Sequence, residues 1–266
     1  MFAGFNLTLT DDIIQGSRMI DTYYPKGLQL YSSQKSAIHN SLDTYLNPDG
    51  SLSASQIESD WFKSINVDVF LSHSHMDEKA VIGLAGYLYT NYRIKCFIDS
   101  CIWGYANDLL KAIDNKYSIN DSGSYDYNKC IFSSSHVHLI LNGALAKMIN
   151  NTECLIFVNT PNSIKSQDVK DKSKTASPWI YSELLMATEF PHQKLQYYRP
   201  LMHSDQHLFE ASKLQVEYDV KVDKLSRLYL ADLTAARQTV GKSDPLAILD
   251  QVYLAKGLVK HKGDKR

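Results

Sequence analysis

The chain has few glycines and cysteines, almost no net charge and no long apolar run. Each of these features excludes a class of protein. The 28 basic and 29 acidic side chains nearly cancel, which leaves no field to attract a nucleic acid or an anionic membrane. No stretch resembles a membrane span, and the first residues lack the basic region and long apolar run of a signal peptide. We therefore expect a soluble cytoplasmic protein that binds neither nucleic acid nor membrane.

The four cysteines and twelve glycines further limit the kinds of functional site that we expect. The cysteines form neither a Cys-x-x-Cys motif nor a disulfide-dense framework, which fits a reducing compartment. No Gly-x-Gly-x-x-Gly follows a predicted strand, so the sequence lacks the signature of proteins that hold NAD as a redox cofactor. At 266 residues the chain is long enough to bury a sizeable core, as one domain with additions or as two small domains.

Strands and helices alternate in the middle of the chain. An apolar stretch at 67–72 ends in the polar turn His73-Ser-His-Met-Asp77, and a helix with apolar residues on one side follows. A second strand at 94–99 leads into another turn and helix. The segment 154–158 is continuously apolar, as an interior parallel strand is. This alternation predicts an α/β fold with a parallel sheet.

The segment from Ser177 to Leu184 has the features of a helix start that carries a carboxylate. Ser177 suits the N-cap and Pro178 the first turn, and Trp179 precedes Glu183 by four residues on the same helical face. Glu183 is then a candidate acid, base or stabiliser of positive charge. The alternative is a first-turn glutamate that only complements the helix dipole.

Polar residues follow several of the predicted strands. In an open parallel sheet, ligands bind outside the carboxyl ends of the strands. The residues that this rule gathers on one edge are Ser72, Ser74, Asp99, Ser163 and Glu183. We expect these side chains to line a single binding site.

Three segments together resemble a Toll/interleukin-1 receptor (TIR) domain. Phe70-Leu-Ser-His-Ser74 with Asp77 is similar to the first box of that family, except for a histidine in the place of a tyrosine. Phe97–Gly104 is similar to the second strand and its loop. Ser177–Leu184 resembles the Ser-x-Trp-Cys-x-x-Glu-Leu motif of TIR domains that cleave NAD. The three matches occur in the family's order, across residues 65 to about 200.

The resemblance implies a flavodoxin-like open parallel sheet with helices on both faces. It also implies an NAD+ glycohydrolase or cyclase, which breaks the nicotinamide–ribose bond. Glu183 would be the catalytic residue. Ser72 and Ser74 would donate hydrogen bonds to ribose or phosphate, and Trp103 or Trp179 would stack on a ring. NAD+ would be the substrate, with no cofactor and no metal.

The family resemblance also implies partners and a domain organisation. Its loop after the second strand, here Ser100–Tyr105, commonly docks on a neighbouring TIR domain, so we expect a homo-oligomer. The flanking segments resemble those of stand-alone bacterial antiphage proteins, whose ADP-ribose-type product would signal to a downstream effector. We expect a helical extension at 1–62, a TIR-like domain at 63–200 and a second helical extension at 201–266.

A metal-dependent hydrolase is one alternative. His73-x-His75-x-Asp77 after a strand is how metallo-β-lactamase-type hydrolases begin a two-metal site, and a second His-x-His at 136–138 fits the same chemistry. Against this interpretation, Glu78 stands where that family has a further histidine. Glycine is also scarce for the metal-binding loops of such enzymes.

A signalling adaptor is the other alternative. Many TIR domains only assemble with other TIR domains and perform no chemistry. In that case the sequence would carry Glu183 without using it.

Overall fold

An open, all-parallel sheet organises the part of the chain that the computed structural model describes, which is residues 1–10, 18–32, 41–103, 106–164, 174–195, 198, 224–240 and 244–259. Within these ranges, five strands pair in the order β3-β2-β4-β1-β5. The strands are β1 (Ala3–Thr8), β2 (Val69–Ser72), β3 (Cys96–Phe97), β4 (Cys154–Asn159) and β5 (Ser226–Leu228).

Helices flank the sheet. Those in the described ranges are α1 (Arg18–Ser32), α2 (Ala54–Trp61), α3 (Glu78–Tyr92), α4 (Asp99–Trp103), α5 (Ala106–Tyr117), α6 (Tyr127–Asn151), α7 (Pro178–Glu189), α8 (Leu230–Val240) and α9 (Pro245–Ala255). Side-chain caps begin several of these helices, because a cap oxygen satisfies a backbone N–H of the first turn. The capping residues are Ser53 for α2, Asp126 for α6, Ser177 for α7 and Asp244 for α9.

Strand β4 lies at the centre of the sheet. It pairs with β1 on one side and β2 on the other, so that Cys154 is opposite both Ala3 and Val69. All residues of β4 before Asn159 are buried, which explains why this strand is continuously apolar in the sequence. The expectation of a flavodoxin-like α/β fold with an open parallel sheet and flanking helices is confirmed.

The N-terminal stretch contains a strand, so the expectation of a purely helical extension at 1–62 is wrong at its start. Strand β1 lies between β4 and β5, with Phe5 and Leu7 each only 1% exposed. A Cβ on Gly4 would lie 2.7 Å from the Cδ2 atom of Leu225, so this strand is packed tightly against the C-terminal stretch. The strand forms because its apolar side chains gain burial against partners that are distant in sequence.

The C-terminal stretch also contributes to the sheet. Strand β5 pairs with β1 and places Ser226 opposite Phe5. Helices α8 and α9 agree with the expected helical character, and Gly257, at φ +70°, follows the end of α9. The sheet therefore draws strands from all three predicted stretches, while the boundaries at 62 and 200 stay a prediction.

The tyrosine-rich segment after α5 forms a tight connection rather than a long loop. Ile119 and Tyr125 form an antiparallel bridge around Gly123, which adopts φ +80°, and α6 begins directly afterwards. Two sequence patterns fall at least partly outside the described residues. Apolar residues at helical spacing predict a helix from Ser33 to Leu46, of which Leu42–Tyr45 forms a 3-10 turn, and the polar composition of 162–176 predicts a loop.

Helices α1 and α3 approach each other closely because glycines lie at their contact. A Cβ on Gly27 would lie 2.1 Å from the carbonyl oxygen of Ile82, and a Cβ on Gly86 would lie 2.2 Å from that of Tyr23. Carbonyl oxygens in a helix cannot rotate away as a side chain can. Larger residues at these two positions would push the helices apart.

We predict that Gly86→Ala lowers the stability of the protein. Overpacking at such a contact costs ~1–3 kcal/mol, which exceeds the gain of about 1 kcal/mol from the better helix propensity of alanine. Gly143→Ala in α6 is the matched control, because a Cβ there meets nothing within 4 Å. Thermal unfolding in dilute solution should show a lower Tm for the first variant and an equal or higher Tm for the second. A raised Tm for Gly86→Ala would contradict this packing.

Candidate active site

The candidate site lies at the carboxyl ends of β2 and β3. Ser72 is the last residue of β2, and Asp99 is the first residue of α4, directly after β3. Helix α7 lies against α6, β1 and β2, and it brings Glu183 to the same edge. Glu183 and Asp99 interact electrostatically, as do Glu183 and Ser72. The structure therefore brings together three of the five residues expected at this edge, while their role as a binding site stays a prediction.

Glu183 is a buried carboxyl group in the second turn of α7. The residue is only 2% exposed. Burial raises the pKa of Glu183 well above its ordinary value of 4.5, and the negative charge of Asp99 raises it further. The helix-dipole alternative required a first-turn glutamate, and the first turn of α7 carries no acidic residue. Burial and Asp99 therefore both favour the neutral form of Glu183.

Ser72 supplies a hydroxyl group beside this carboxyl. The residue is fully buried, and within the described part of the chain its Oγ has no hydrogen-bond partner of normal geometry. Its interaction with Glu183 lowers the pKa of that carboxyl, opposing the larger effect of burial. A buried hydroxyl without a well-formed hydrogen bond is costly, so a polar ligand that accepted one here would be favoured.

His73 links the site to the loop after β3. Its Nδ1 atom lies 3.3 Å from the carbonyl oxygen of Leu71 and 3.8 Å from a carboxylate oxygen of Asp99. Its Nε2 atom lies 3.3 Å from the hydroxyl of Ser100. Burial lowers the pKa of His73, although Asp99 opposes that change. The neutral ring can donate from Nδ1 to Leu71 and accept from Ser100, and it holds the start of α4 in place.

No direct signal in the sequence predicts this arrangement of His73. The residue stands out only as a departure from the tyrosine of the TIR motif and as a candidate metal ligand. The contacts with Asp99 and Ser100 join segments 27 positions apart, and they depend on the pairing of β2 with β3.

Two of the predicted ligand-binding serines already have structural roles. The Ser74 hydroxyl accepts a hydrogen bond from the Met76 backbone N–H at 3.4 Å and caps a 3-10 turn. The Ser163 hydroxyl accepts one from the Thr160 backbone N–H at 2.8 Å and donates to its carbonyl oxygen. Both residues lie near the rim and are buried, so their contribution to ligand binding stays a prediction.

Asp77 fixes the loop after β4. Its two carboxylate oxygens accept hydrogen bonds from the Thr160 hydroxyl at 2.5 Å and from the Asn162 side chain at 2.7 Å. Asp77 is 2% exposed, and it joins the start of α3 to the carboxyl end of β4. These contacts hold the polar loops that surround the site.

The residues of the alternative metal site make separate hydrogen bonds, although the rings of His73 and His75 lie 6.0 Å apart. His73 is directed to Ser100, Asp77 to Thr160, and His75 is exposed. The second His-x-His, at 136–138, lies on the exposed surface of α6. Among the described residues, no three His, Cys, Asp or Glu side chains form a group that could hold a metal ion.

Of the two tryptophans predicted to stack on a ligand, the structure describes the side chain of one. Trp179 is half-buried, and its ring lies 5.7 Å from the ring of His138 on α6. Trp103 ends α4, but its side chain lies outside the described residues, as do Gly104 and Tyr105. The docking role predicted for the Ser100–Tyr105 loop therefore stays a prediction.

Comparisons with protein-family models, with curated proteins and with solved structures each find no match to this chain. None of the helices in the described ranges is long and apolar enough to cross a membrane. An inference about function therefore depends on the residues of the site and on the resemblance of their motifs to those of TIR domains.

We predict that Glu183→Gln stabilises the protein increasingly as pH rises. The pKa of Glu183 is raised in the folded chain, so its contribution to stability is complete below the ordinary value of 4.5 and is lost as pH rises through the folded pKa. A glutamine amide stays neutral throughout. Thermal unfolding should therefore give the variant the Tm of the wild type at about pH 4 and a higher Tm at about pH 9.

The matched control is Glu189→Gln, on the same helix. Glu189 lies 3.2 Å from the Lys224 ammonium group near the surface, so its replacement should not raise stability at high pH. A wild type as stable as the Glu183→Gln variant at alkaline pH would show that Glu183 carries no burial penalty.

Proposed function

We propose that this protein is an NAD+ glycohydrolase or cyclase that breaks the nicotinamide–ribose bond, with Glu183 as its catalytic residue. The observation that carries the proposal is the buried carboxyl of Glu183 beside Ser72 and Asp99, at the edge of the sheet where ligands bind. The resemblance of Ser177–Leu184 to the motif of NAD-cleaving TIR domains supports the same reaction.

The protein would assist this reaction mainly by electrostatic stabilisation of positive charge. The nicotinamide ring of NAD+ is already cationic, so it leaves with the bonding electron pair as a neutral molecule and needs no proton. The ribose carbon that remains has oxocarbenium character. A carboxylate ~4 Å from this centre, in a dry site, stabilises it by a few kcal/mol. Water then gives ADP-ribose and a proton, whereas an internal ribose hydroxyl or a base nitrogen gives a cyclic product.

The raised pKa of Glu183 suits this role. A neutral carboxyl is inexpensive to keep in an empty, buried site, and a cationic ligand favours its ionisation. The negative charge then appears only when the substrate's positive charge is present to balance it. Asp99, whose side chain is 19% exposed, adds negative potential from the solvent side.

Ser72 and His73 would assist without taking part in bond breaking. The buried Ser72 hydroxyl is placed to donate to Glu183 or to a ribose hydroxyl. Burial lowers the pKa of His73, so the ring stays neutral and does not repel the cationic substrate. Trp103 or Trp179 would stack on a ring of NAD+.

The wider role would be antiphage signalling in a bacterium. In this proposal TIR–TIR contacts assemble the enzyme, and a downstream effector senses its ADP-ribose-type product. These steps rest on the family resemblance alone.

We predict that Glu183→Gln lowers nicotinamide release from NAD+ at least ~100-fold, because removal of one electrostatic stabiliser of a transition state costs about that factor. Product formation is followed by mass spectrometry, which also identifies linear or cyclic ADP-ribose. Glu189→Gln, the same change six positions along α7, should keep wild-type turnover.

Two results would contradict the proposal. Retention of more than about a tenth of wild-type turnover by Glu183→Gln would remove this residue from the catalytic role. A purified wild type that neither binds NAD+ nor releases nicotinamide at any protein concentration would favour the adaptor alternative.

A further inference from the structure

Helix α6 has an apolar face that the other described residues leave uncovered. Its inner face, with Val137 and Leu145, is buried in the core. On the opposite side, Phe132 is 68% exposed and Leu139 is 70% exposed. Isolated exposed apolar residues are ordinary, but several on one helix face indicate an interaction surface.

The exposed residues follow the period of a helix. We define the outer stripe of α6 as Phe132, Ser135, His136, Leu139 and Gly143, which recur at intervals of three and four residues. Within it the rings of Phe132 and His136 meet edge-on, with centroids 4.5 Å apart. A stripe of this spacing is the type of surface that receives another helix.

We propose that the occupant of the outer stripe is a second copy of this chain, packed through its own α6. The charge pattern favours this partner over an unrelated one. From Cys130 to Ala146 the sequence has no Asp, Glu, Lys or Arg, so a charged partner would find nothing to pair with. Two copies of the same neutral face meet without like-charge repulsion, as a self-complementary interface requires.

The shapes along the stripe are also self-complementary. A Cβ added to Gly143 would meet nothing within 4 Å, so the surface there is open. In an antiparallel pair centred between Val137 and His138, Phe132 of one copy would lie opposite Gly143 of the other, and Leu139 opposite His136. The largest side chain would thus fill the space beside the smallest.

The exposed area is sufficient for a weak dimer. A large aromatic side chain buries ~150–250 Å². Phe132 and Leu139 are about two thirds exposed, Ile131 at the edge of the stripe is 48% exposed, and together they offer on the order of 300 Å² of apolar surface. A stable interface buries about 800 Å² on each partner, so the polar residues of the stripe must supply the remainder. We therefore expect association that depends on protein concentration.

The experiment is sedimentation velocity of the full chain over a range of concentrations. The wild type should rise from the 30.2 kDa of one chain towards twice that mass. Phe132→Glu and Gly143→Leu should each hold the protein at the single-chain mass to at least ~10-fold higher concentration. Both positions are open in the single chain, so neither change should lower the Tm of the separated protein.

Leu28→Glu is the matched control, because Leu28 is also exposed, at 43%, but lies on α1 rather than α6. It should associate as the wild type does. A wild type that stays at the mass of one chain throughout would overturn the proposal. So would association that survives both α6 changes, since another surface would then be responsible. If Phe132→Glu lowers the Tm, Gly143→Leu alone decides between these outcomes.

Discussion

The candidate site depends on one constraint, which is the burial of the Glu183 carboxyl next to a second acidic residue. Both burial and the neighbouring Asp99 favour its neutral form, whereas Ser72 favours the charged one. A group in this position is poised to ionise when a cation arrives. The same surroundings would be unfavourable for a carboxylate that served only the stability of the fold.

The sheet is what brings these groups together. Parallel pairing of β2 with β3 sets the distance between His73 and Asp99, and pairing of β2 with β4 sets that between Asp77 and Thr160. Helix α7 then closes the edge with Glu183. The loops keep these positions because His73 contacts Ser100 and Asp77 accepts a hydrogen bond from Asn162, each in a neighbouring loop.

Much of this arrangement follows from local sequence patterns. The cap and first turn of α7, the apolar β4 and the polar ends of the strands could all be predicted, because short-range periodicity determines them. Strand β1 was missed, although Phe5 and Leu7 alternate with smaller or polar residues. Its partners at β4 and β5 lie some 150 to 220 positions away, and no local signal encodes parallel pairing. The outer stripe of α6 was missed because its helix carries apolar residues on two faces.

We propose that Glu183 is neutral without a ligand and becomes charged against a cationic ribosyl ligand. This proposal is tested by carbon NMR of the labelled Glu183 carboxyl, titrated with and without nicotinamide mononucleotide, whose ring carries the same positive charge as NAD+. The account predicts a pKa above the ordinary 4.5 in the free protein and a lower one with the ligand bound. A carboxyl that titrates at its ordinary value in the free protein, or whose pKa the bound ligand leaves unchanged, would contradict it.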